Sequence, residues 1–186
     1  MITDFPSVSV IIPVFSAVEP IEDCLIALDK QTYPKNRYEV IVVSNNPDIR
    51  EFESFKEKSE VVFLHESSPG SYSARNLGIK KAKGKVIAFT DADCIPDENW
   101  LKEGVINLLN IQNCGLLAGK LIVFCRDNTN PTSTEIYETL NAFPQKLYIE
   151  KGHFGVTANL FTFREVFEDV GLFNEQLISS GDKEWG

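Results

Sequence analysis

Two aspartates one residue apart, Asp91 and Asp93, are the feature of this chain with the clearest chemical meaning. They directly follow the apolar run 85–90 (KVIAFT), which has the length and composition of a buried β-strand. Ligands of open α/β sheets bind beyond the carboxyl ends of the strands. Two carboxylates at that edge repel each other unless a cation lies beside them, and a hard divalent cation shared with phosphates is a common partner. The pair therefore indicates a metal site, although a solvated turn in which Asp93 or Asp97 caps the next helix fits the same spacing.

Composition and charge restrict the class of protein. The chain has 186 residues, of which 43% are hydrophobic and 24% charged, as expected of one globular domain with a real core. Its net charge of −9 argues against nonspecific nucleic-acid binding. An acidic protein that binds a polyanionic ligand needs a metal or local basic residues.

The sequence also contains signals about compartment. It has no apolar run of the roughly 18 residues that a membrane-spanning helix needs, and its first residues do not resemble a signal peptide. The four cysteines form no CxxC pair, which favours free thiols in a reducing cytoplasm. We therefore predict a cytoplasmic protein. The polar, turn-rich end 180–186 suggests a chain truncated from a longer protein.

Alternating strand and helix patterns position the two aspartates. Strands are predicted at 7–14, 39–43, 61–64 and 86–90, and helical patterns at 19–31, 49–59, 71–82 and 97–110. This alternation favours right-handed βαβ crossovers and an α/β fold with one mostly parallel sheet flanked by helices. Further along, we predict a strand at 116–124, a polar loop at 126–134, a helix at 135–150, a strand at 154–163 and a short helix at 164–170.

Short motifs spread over nearly the whole chain, taken together, resemble those of the family 2 glycosyltransferases of the GT-A fold. In chain order the matching segments are 8–14 (VSVIIPV), 31–34 (QTYP), 38–43 (YEVIVV), 73–79 (SARNLGI), 82–84 (AKG), 89–94 (FTDADC), 157–160 (TANL), 163–167 (FREVF), 170–173 (VGLF) and 181–185 (GDKEW). Each motif is weak by itself. Their common order makes the resemblance specific.

The resemblance implies an activity, a cofactor and partners. It implies a metal-dependent, inverting transfer of a sugar from a nucleotide-sugar donor, often a UDP-sugar, to an acceptor hydroxyl, with Mn²⁺ or Mg²⁺ as cofactor. Acceptors would be carbohydrates or lipid-linked sugars, and peripheral association with the inner face of a membrane stays open. The resemblance further implies a single GT-A domain over 1–186, with a nucleotide-binding half at 1–95 and an acceptor-side half at 96–186.

Residues at the ends of the first strands are the implied donor site. The backbone of Pro13 and Val14 would lie against the nucleoside, although Pro13 could simply end a strand. Ser44 and Asn45 would contact the base, although an Asn-Asn-Pro turn is an equal alternative. The family usually has Asp where Ser44 stands, so the missing carboxylate puts uridine specificity in question. Arg75 offers a planar, permanently charged fork for a phosphate or for a site carboxylate such as Asp91.

The family assigns separate roles to three carboxylates. Asp91 resembles the residue that contacts ribose or metal-bound water, and Asp93 resembles the direct metal ligand. Asp182 resembles the catalytic base, which takes the proton of the acceptor hydroxyl. Gly181 stands where the family has Glu, and a helix N-cap is the alternative role of Asp182.

Four further residues are candidates for contacting the donor sugar or the acceptor. Thr157 and Asn159 could hydrogen-bond a sugar, or could form a satisfied buried pair at a strand end. Glu184 could hold sugar hydroxyls. Trp185 could stack on the apolar face of a sugar, with core packing equally plausible.

Two functions from other classes remain open at this point. A nucleotide-sugar-binding module without turnover fits the changes at Ser44 and Gly181. A nucleotidyltransferase also uses carboxylates and metal, but it should have a Gly-rich, basic loop after the first strand, and 13–19 (PVFSAVE) has neither Gly nor Lys.

Overall fold

The computed structural model describes residues 5–15, 21–47, 61–125, 127 and 129–186. The strands are β1 Val8–Val14, β2 Tyr38–Ser44, β3 Val61–His65, β4 Val86–Thr90, β5 Leu116–Ala118 and β6 Asn159–Phe163. The helices are α1 Ile21–Asp29, α2 Ser71–Lys81, α3 Trp100–Asn110, α4 Ser133–Asn141, α5 Gln145–Leu147, α6 Val166–Asp169 and α7 Gly181–Trp185. A 3₁₀ turn spans Lys35–Arg37 and a π turn Tyr148–Gly152. The helix predicted at 49–59 lies outside the described residues.

The strands form one six-stranded sheet in the order β3-β2-β1-β4-β6-β5. The pairs β1–β2, β1–β4 and β2–β3 are parallel, whereas β6 is antiparallel to both β4 and β5. This arrangement confirms the predicted α/β fold with a mostly parallel sheet and flanking helices. Since β5 and β6 extend the same sheet as β1 to β4, residues from both halves of the chain meet at its edges.

Both faces of the central strands are covered. On one face, Val10, Val42 and Ala88 pack against apolar residues of α1 and α3. On the other face, Ile11 and Phe89 pack against residues of α2, α6 and α7. Because neither face meets water, β1, β2 and β4 consist of nearly continuous apolar runs.

Strand β1 continues through Pro13 to Val14, which confirms the predicted strand at 7–14 and shows that Pro13 does not end it. The ladder of β1 with β4 stops at the pair Ile11–Phe89, whereas the ladder with β2 continues to Val14. The carbonyl of Val14 accepts a hydrogen bond from the Asn45 N–H on the β2 side, so the nitrogen of Pro13 points to the β4 side. No ladder bond is lost there, and the proline is tolerated.

Strand β5 is much shorter than the predicted strand at 116–124. The Gly119 N–H donates to the Asn159 carbonyl at 3.0 Å, and Asn159 is the first residue of the partner strand β6. Beyond that point β6 offers no further residues to pair with, and residues 119–125 are irregular. The apolar pattern alone did not contain this information, because strand length depends on the partner.

The helix predicted at 135–150 is broken in two. Helix α4 starts with a complete capping box, in which Thr132 and Glu135 exchange hydrogen bonds, and ends at Asn141. Phe143 then adopts a left-handed conformation (φ +52°) before Pro144. A proline disfavours helical geometry in the residue that precedes it, which accounts for the break. The strand predicted at 154–163 is also shorter than expected, since β6 begins only at Asn159.

No helix in the described part of the chain combines the length and the apolar character needed to cross a membrane.

Candidate active site

An open cleft of about 410 Å³ lies at the carboxyl ends of β1, β2 and β4. It is lined by Pro13, Val14, Phe15, Asn45, Ser71, Arg75, Asp91, Ala92 and Asp93. Six of these nine residues were predicted from the sequence. Phe15, whose side chain is 69% exposed, was not predicted, and neither were Ser71 and Ala92. An aromatic residue directly after a buried strand was the available signal.

Arg75 and Asp91, which both line the cleft, form an ion pair. The Nη2 of Arg75 lies 2.6 Å from Oδ1 of Asp91, with side-chain exposures of 5% and 35% respectively. The Arg75 guanidinium carbon also lies 5.7 Å from the ring centroid of Tyr72. The Arg75 Nε is buried and has no hydrogen-bond partner among the described residues. The pair orients Asp91 and leaves one side of the arginine unsatisfied.

Asp93 is exposed at the rim of the cleft. Its Oδ1 is 3.9 Å from the Cys94 thiol, a weak contact that leaves the carboxylate open to a further partner. No three His, Cys, Asp or Glu side chains within the described residues form a group that could hold a metal. Mg²⁺-type sites commonly use one or two carboxylates together with phosphates and waters, so Asp93, with Asp91 beside it, fits a hard cation that is shared with a substrate.

The two thiols near this pair do not add ligands. Burial raises the pKa of Cys24 and of Cys94, and the neighbouring carboxylates of Asp91 and Asp93 raise both further. Metal binding by cysteine requires the thiolate. Both cysteines therefore stay protonated at neutral pH.

Ser44 and Asn45 are adjacent in sequence but differ in position. Ser44 is buried, and its Oγ accepts from the Asn46 N–H at 3.0 Å in a local turn. Asn45 lines the cleft, and its amide donates to the carbonyls of Glu66 and Ser68 at 3.1 and 2.6 Å. Of the two, the side chain of Asn45 is the one at the cleft wall.

Asp182 is the second residue of α7, and its carboxylate is fixed by Thr157. Its Oδ2 accepts from the Thr157 N–H at 3.1 Å, and its Oδ1 accepts from the Thr157 hydroxyl at 3.2 Å. The N-cap of α7 is Ser180, so Asp182 does not fill the capping position. Thr157 is buried, and its polar groups serve to orient this carboxylate.

Gly181 packs directly against Tyr72. Its N–H donates to the Tyr72 hydroxyl at 2.8 Å. A Cβ at position 181 would lie only 2.6 Å from the ring carbon Cζ of Tyr72, so a larger residue does not fit. The glycine at this position therefore has a steric reason. Burial and the Asp182 carboxylate raise the pKa of Tyr72, which keeps the phenol neutral.

The other predicted contact residues lie in different surroundings. Trp185 is buried, stacks on Phe167 with ring centroids 4.8 Å apart and donates its indole N–H to the Gly171 carbonyl at 2.8 Å. Its ring also packs at 5.2 Å against Phe173, so the side chain belongs to the core, as the alternative interpretation had it. Glu184 is exposed on α7.

Asn159 lies at the head of β6, opposite Thr90. Its Oδ1 accepts from the Trp100 indole N–H at 2.8 Å, and its Nδ2 donates to the Lys120 carbonyl at 3.0 Å. It also lines a second groove, of about 310 Å³, beside α3. Since Thr90 directly precedes Asp91, this groove begins next to the strand that carries the ion pair.

Comparison with known proteins assigns the family. A family model described as glycosyl transferase family 2 matches residues 9–171. The chain belongs to this family. The match includes every cleft residue named above, whereas Asp182 lies beyond its end. Family membership favours a transferase over a binding module.

Curated relatives are named as glycosyltransferases. The glycosyltransferase AglE of Haloferax volcanii is 39% identical over 192 residues, an alignment that covers 100% of this chain and 62% of that protein. The poly(ribitol-phosphate) beta-glucosyltransferase of Bacillus spizizenii is 38% identical over 92 residues, covering 46% of this chain and 14% of that protein. This family 2 glycosyltransferase chain therefore aligns with less than two thirds of the length of each of these two relatives.

Solved structures share the fold. The mannosyltransferase PcManGT of Pyrobaculum calidifontis, in complex with GDP-Man and Mn²⁺, has a TM-score of 0.71 at 22% identity and covers 98% of this chain and 51% of that one. S. aureus TarS 1-349 in complex with UDP-GlcNAc has a TM-score of 0.68 at 20% identity, covering 96% and 52%. At these identities the likeness shows a common GT-A architecture.

Proposed function

We propose that this chain is the catalytic domain of a metal-dependent, inverting glycosyltransferase that takes a sugar from a nucleotide-sugar donor, in the first place a UDP-sugar. The observation that carries the proposal is the cleft at the strand ends, where Arg75, Asp91 and Asp93 meet. The names of the relatives and the bound UDP-GlcNAc of TarS support the donor class.

In this proposal the cleft binds the nucleotide. The ends of β1 and β2 present Pro13, Val14 and Asn45 to the nucleoside, and the exposed ring of Phe15 offers a stacking surface for the base. Ser44 acts through its local turn, which sets the backbone that carries Asn45. Arg75 adds positive charge near the diphosphate while it orients Asp91.

Asp93, with Asp91 beside it, would hold Mn²⁺ or Mg²⁺. When bound, the cation would supply Lewis-acid stabilisation of the negative charge on the leaving nucleoside diphosphate. The oxygen-only donor set and the exposed position of Asp93 support this assignment. The Mn²⁺ in the PcManGT structure supports it as well.

Asp182 is the proposed base. As the acceptor hydroxyl attacks the anomeric carbon, its oxygen forms the new glycosidic bond, the bond to the diphosphate breaks, and the hydroxyl proton passes to Asp182. Thr157 holds the carboxylate with two hydrogen bonds, so little reorganisation is needed when the acceptor arrives. Tyr72 contacts both Arg75, which lines the donor cleft, and Gly181, the residue before the proposed base.

The acceptor in this proposal is a cell-envelope polysaccharide or glycolipid. The relative named as a poly(ribitol-phosphate) beta-glucosyltransferase supports that class. Asn159 in its groove and the exposed Glu184 are the side chains we assign to sugar hydroxyls. The corresponding place of action is the cytoplasmic face of the membrane.

Donor binding is the first experiment. Calorimetric titration with UDP, GDP and their common sugar conjugates should show binding in Mn²⁺ that is lost in EDTA. Asp93→Asn should weaken metal-dependent binding by at least about 10-fold, because it removes the charged ligand itself, whereas loss of an outer partner already costs that much. Asp169→Asn, an exposed carboxylate on α6 away from the cleft, is the matched control and should bind like the unaltered chain.

Turnover separates catalysis from binding. Asp182→Asn should keep donor affinity and lose most of the transfer rate, since the base acts only on the acceptor. No binding of any nucleotide by the folded chain would refute the donor site. Binding with equal turnover in Asp182→Asn would refute the base assignment alone.

A further inference from the structure

Tyr72, the second residue of α2, contacts both parts of the proposed site. Its ring centroid lies 5.7 Å from the guanidinium carbon of Arg75, and its hydroxyl accepts the Gly181 N–H at 2.8 Å. The ring is buried and stacks on Phe173 at 5.7 Å. Its position is therefore set by the core and not by solvent-exposed contacts.

The hydrogen bond to Tyr72 gives the first backbone N–H of α7, that of Gly181, an acceptor. The first N–H groups of a helix have no partner within the helix. Ser180, the N-cap, makes no side-chain capping bond, so the Tyr72 hydroxyl takes that place from a distant part of the chain. A helix of five residues has little stability of its own, and external contacts decide where it begins.

Sterics make the contact specific. A Cβ at position 181 would lie 2.6, 2.7 and 2.8 Å from three ring carbons of Tyr72. The ring thus occupies the space that any side chain at this position would need. Tyr72 and Gly181 form a matched pair, separated by 109 positions in the sequence.

We propose that Tyr72 is a positioning residue for Asp182, holding the start of α7 through Gly181 and thereby setting the place of the base relative to the Arg75–Asp91 pair. The inference rests on the proposed function in one respect, the role of Asp182 as base. Thr157 orients the carboxylate, whereas Tyr72 places the backbone that carries it.

The test is Tyr72→Phe in the full chain, assayed with the nucleotide sugar and metal that give the highest turnover. The ring stays, so contacts with Arg75 and Phe173 are kept and the donor KM should not change. The Gly181 N–H loses its acceptor, and we expect kcat to fall roughly 5- to 10-fold, the equivalent of one hydrogen bond. A smaller folded fraction would also lower the apparent kcat at constant KM, so a control variant with a similar loss of stability is needed.

Tyr33→Phe is the matched control. Tyr33 is also buried, and its hydroxyl donates to the Pro6 carbonyl at 2.6 Å on the other face of the sheet. This variant also loses a buried tyrosine hydroxyl and should show a comparable fall in Tm, yet keep its kcat. An equal fall of kcat in both variants, or a rise of donor KM in Tyr72→Phe, would overturn the proposal.

A double-mutant cycle tests whether Tyr72 acts through Asp182. In the Asp182→Asn background, Tyr72→Phe should have no further effect on kcat, because residues that act as a unit are not additive. The same fold-change in both backgrounds would overturn the proposal while leaving the base assignment intact. Unchanged kcat in Asp182→Asn alone would refute the base and, with it, this inference.

Hydrogen exchange gives a readout without turnover. If the phenol holds the start of α7, the amide of Gly181 should exchange faster in Tyr72→Phe than in Tyr33→Phe. Equal exchange in the two variants would refute the inference even for a chain that turns over no donor, in which case the proposed function fails separately.

Discussion

Removal of Asp91 should lower the free energy of unfolding much more than removal of Arg75. The Arg75 side chain is 5% exposed and its Nε already lacks a partner among the described residues, whereas Asp91 is 35% exposed. Asp91→Ala leaves a buried guanidinium without its counter-charge. Breaking a buried pair in this way costs about 3–5 kcal/mol, and we expect about 3 kcal/mol because water reaches the Asp91 side.

The reverse change should be mild. Arg75→Met keeps the apolar stem and leaves Asp91 as a carboxylate that water can solvate, so we expect a loss of about 1 kcal/mol. The difference of about 2 kcal/mol corresponds to a roughly 30-fold difference in the folding equilibrium constant. In a domain of this size Asp91→Ala should lower Tm by about 6–12 °C.

Urea unfolding at pH 7, followed by tryptophan fluorescence, measures both values. Asp29→Ala is the control. Asp29 pairs with Lys35 at 3.5 Å, and their side chains are 74% and 56% exposed respectively. Loss of this exposed pair should change the free energy of unfolding by less than about 1 kcal/mol. An Arg75→Met loss that equals or exceeds that of Asp91→Ala would refute the reasoning, because it would mean that the arginine is not the costly charge of the pair.

Three other predictions concern the base, its neighbour and the core. Thr157→Val keeps the side-chain volume but removes the hydroxyl that donates to Asp182, so kcat should fall roughly tenfold at constant donor affinity; an unchanged rate would contradict the proposed role. The pKa of Tyr72 is raised in the folded state, so the contribution of its protonated form is fully present below pH 10 and is lost as pH rises through the higher folded value. Urea titrations across that window should show a steeper loss of unfolding free energy than in Tyr72→Phe, and parallel curves would argue against the shift. Gly104→Ala should cost about 1–3 kcal/mol, because its new methyl group would meet the ring of Phe161, and adding Phe161→Leu should recover part of that loss in the same unfolding assay.

Local patterns were sufficient for the central part of the fold. The strand predicted at 86–90 agrees with β4, and the helical pattern predicted at 97–110 contains α3, in which Leu101, Val105 and Leu108 are buried. These elements pack on at least one face against a continuous core, so their apolar residues recur at regular spacing and are easy to recognise in the sequence. Asp91 and Asp93 follow from the same reasoning, since the end of a buried parallel strand determines where its next residues emerge.

Sequence patterns did not predict where an element ends when that end depends on a neighbouring strand or residue. Strand β5 ends opposite Leu160, one residue from where its antiparallel partner β6 begins, and the apolar character of residues 119–124 does not reveal this. The helix predicted at 135–150 breaks at Phe143, for which the following proline was an available but unused signal.

The sequence by itself determined the central strands and the carboxylates that follow them, because each depends on residues close in the chain. Only the tertiary structure decided that Trp185 packs into the core, that Ser44 is buried with its hydroxyl bonded in a local turn and that Thr157 holds Asp182. The pairing of Tyr72 with Gly181 is of the same kind. Contacts between residues about a hundred positions apart depend on how α2 and α7 pack on one face of the sheet, and no local preference of either segment contains that information.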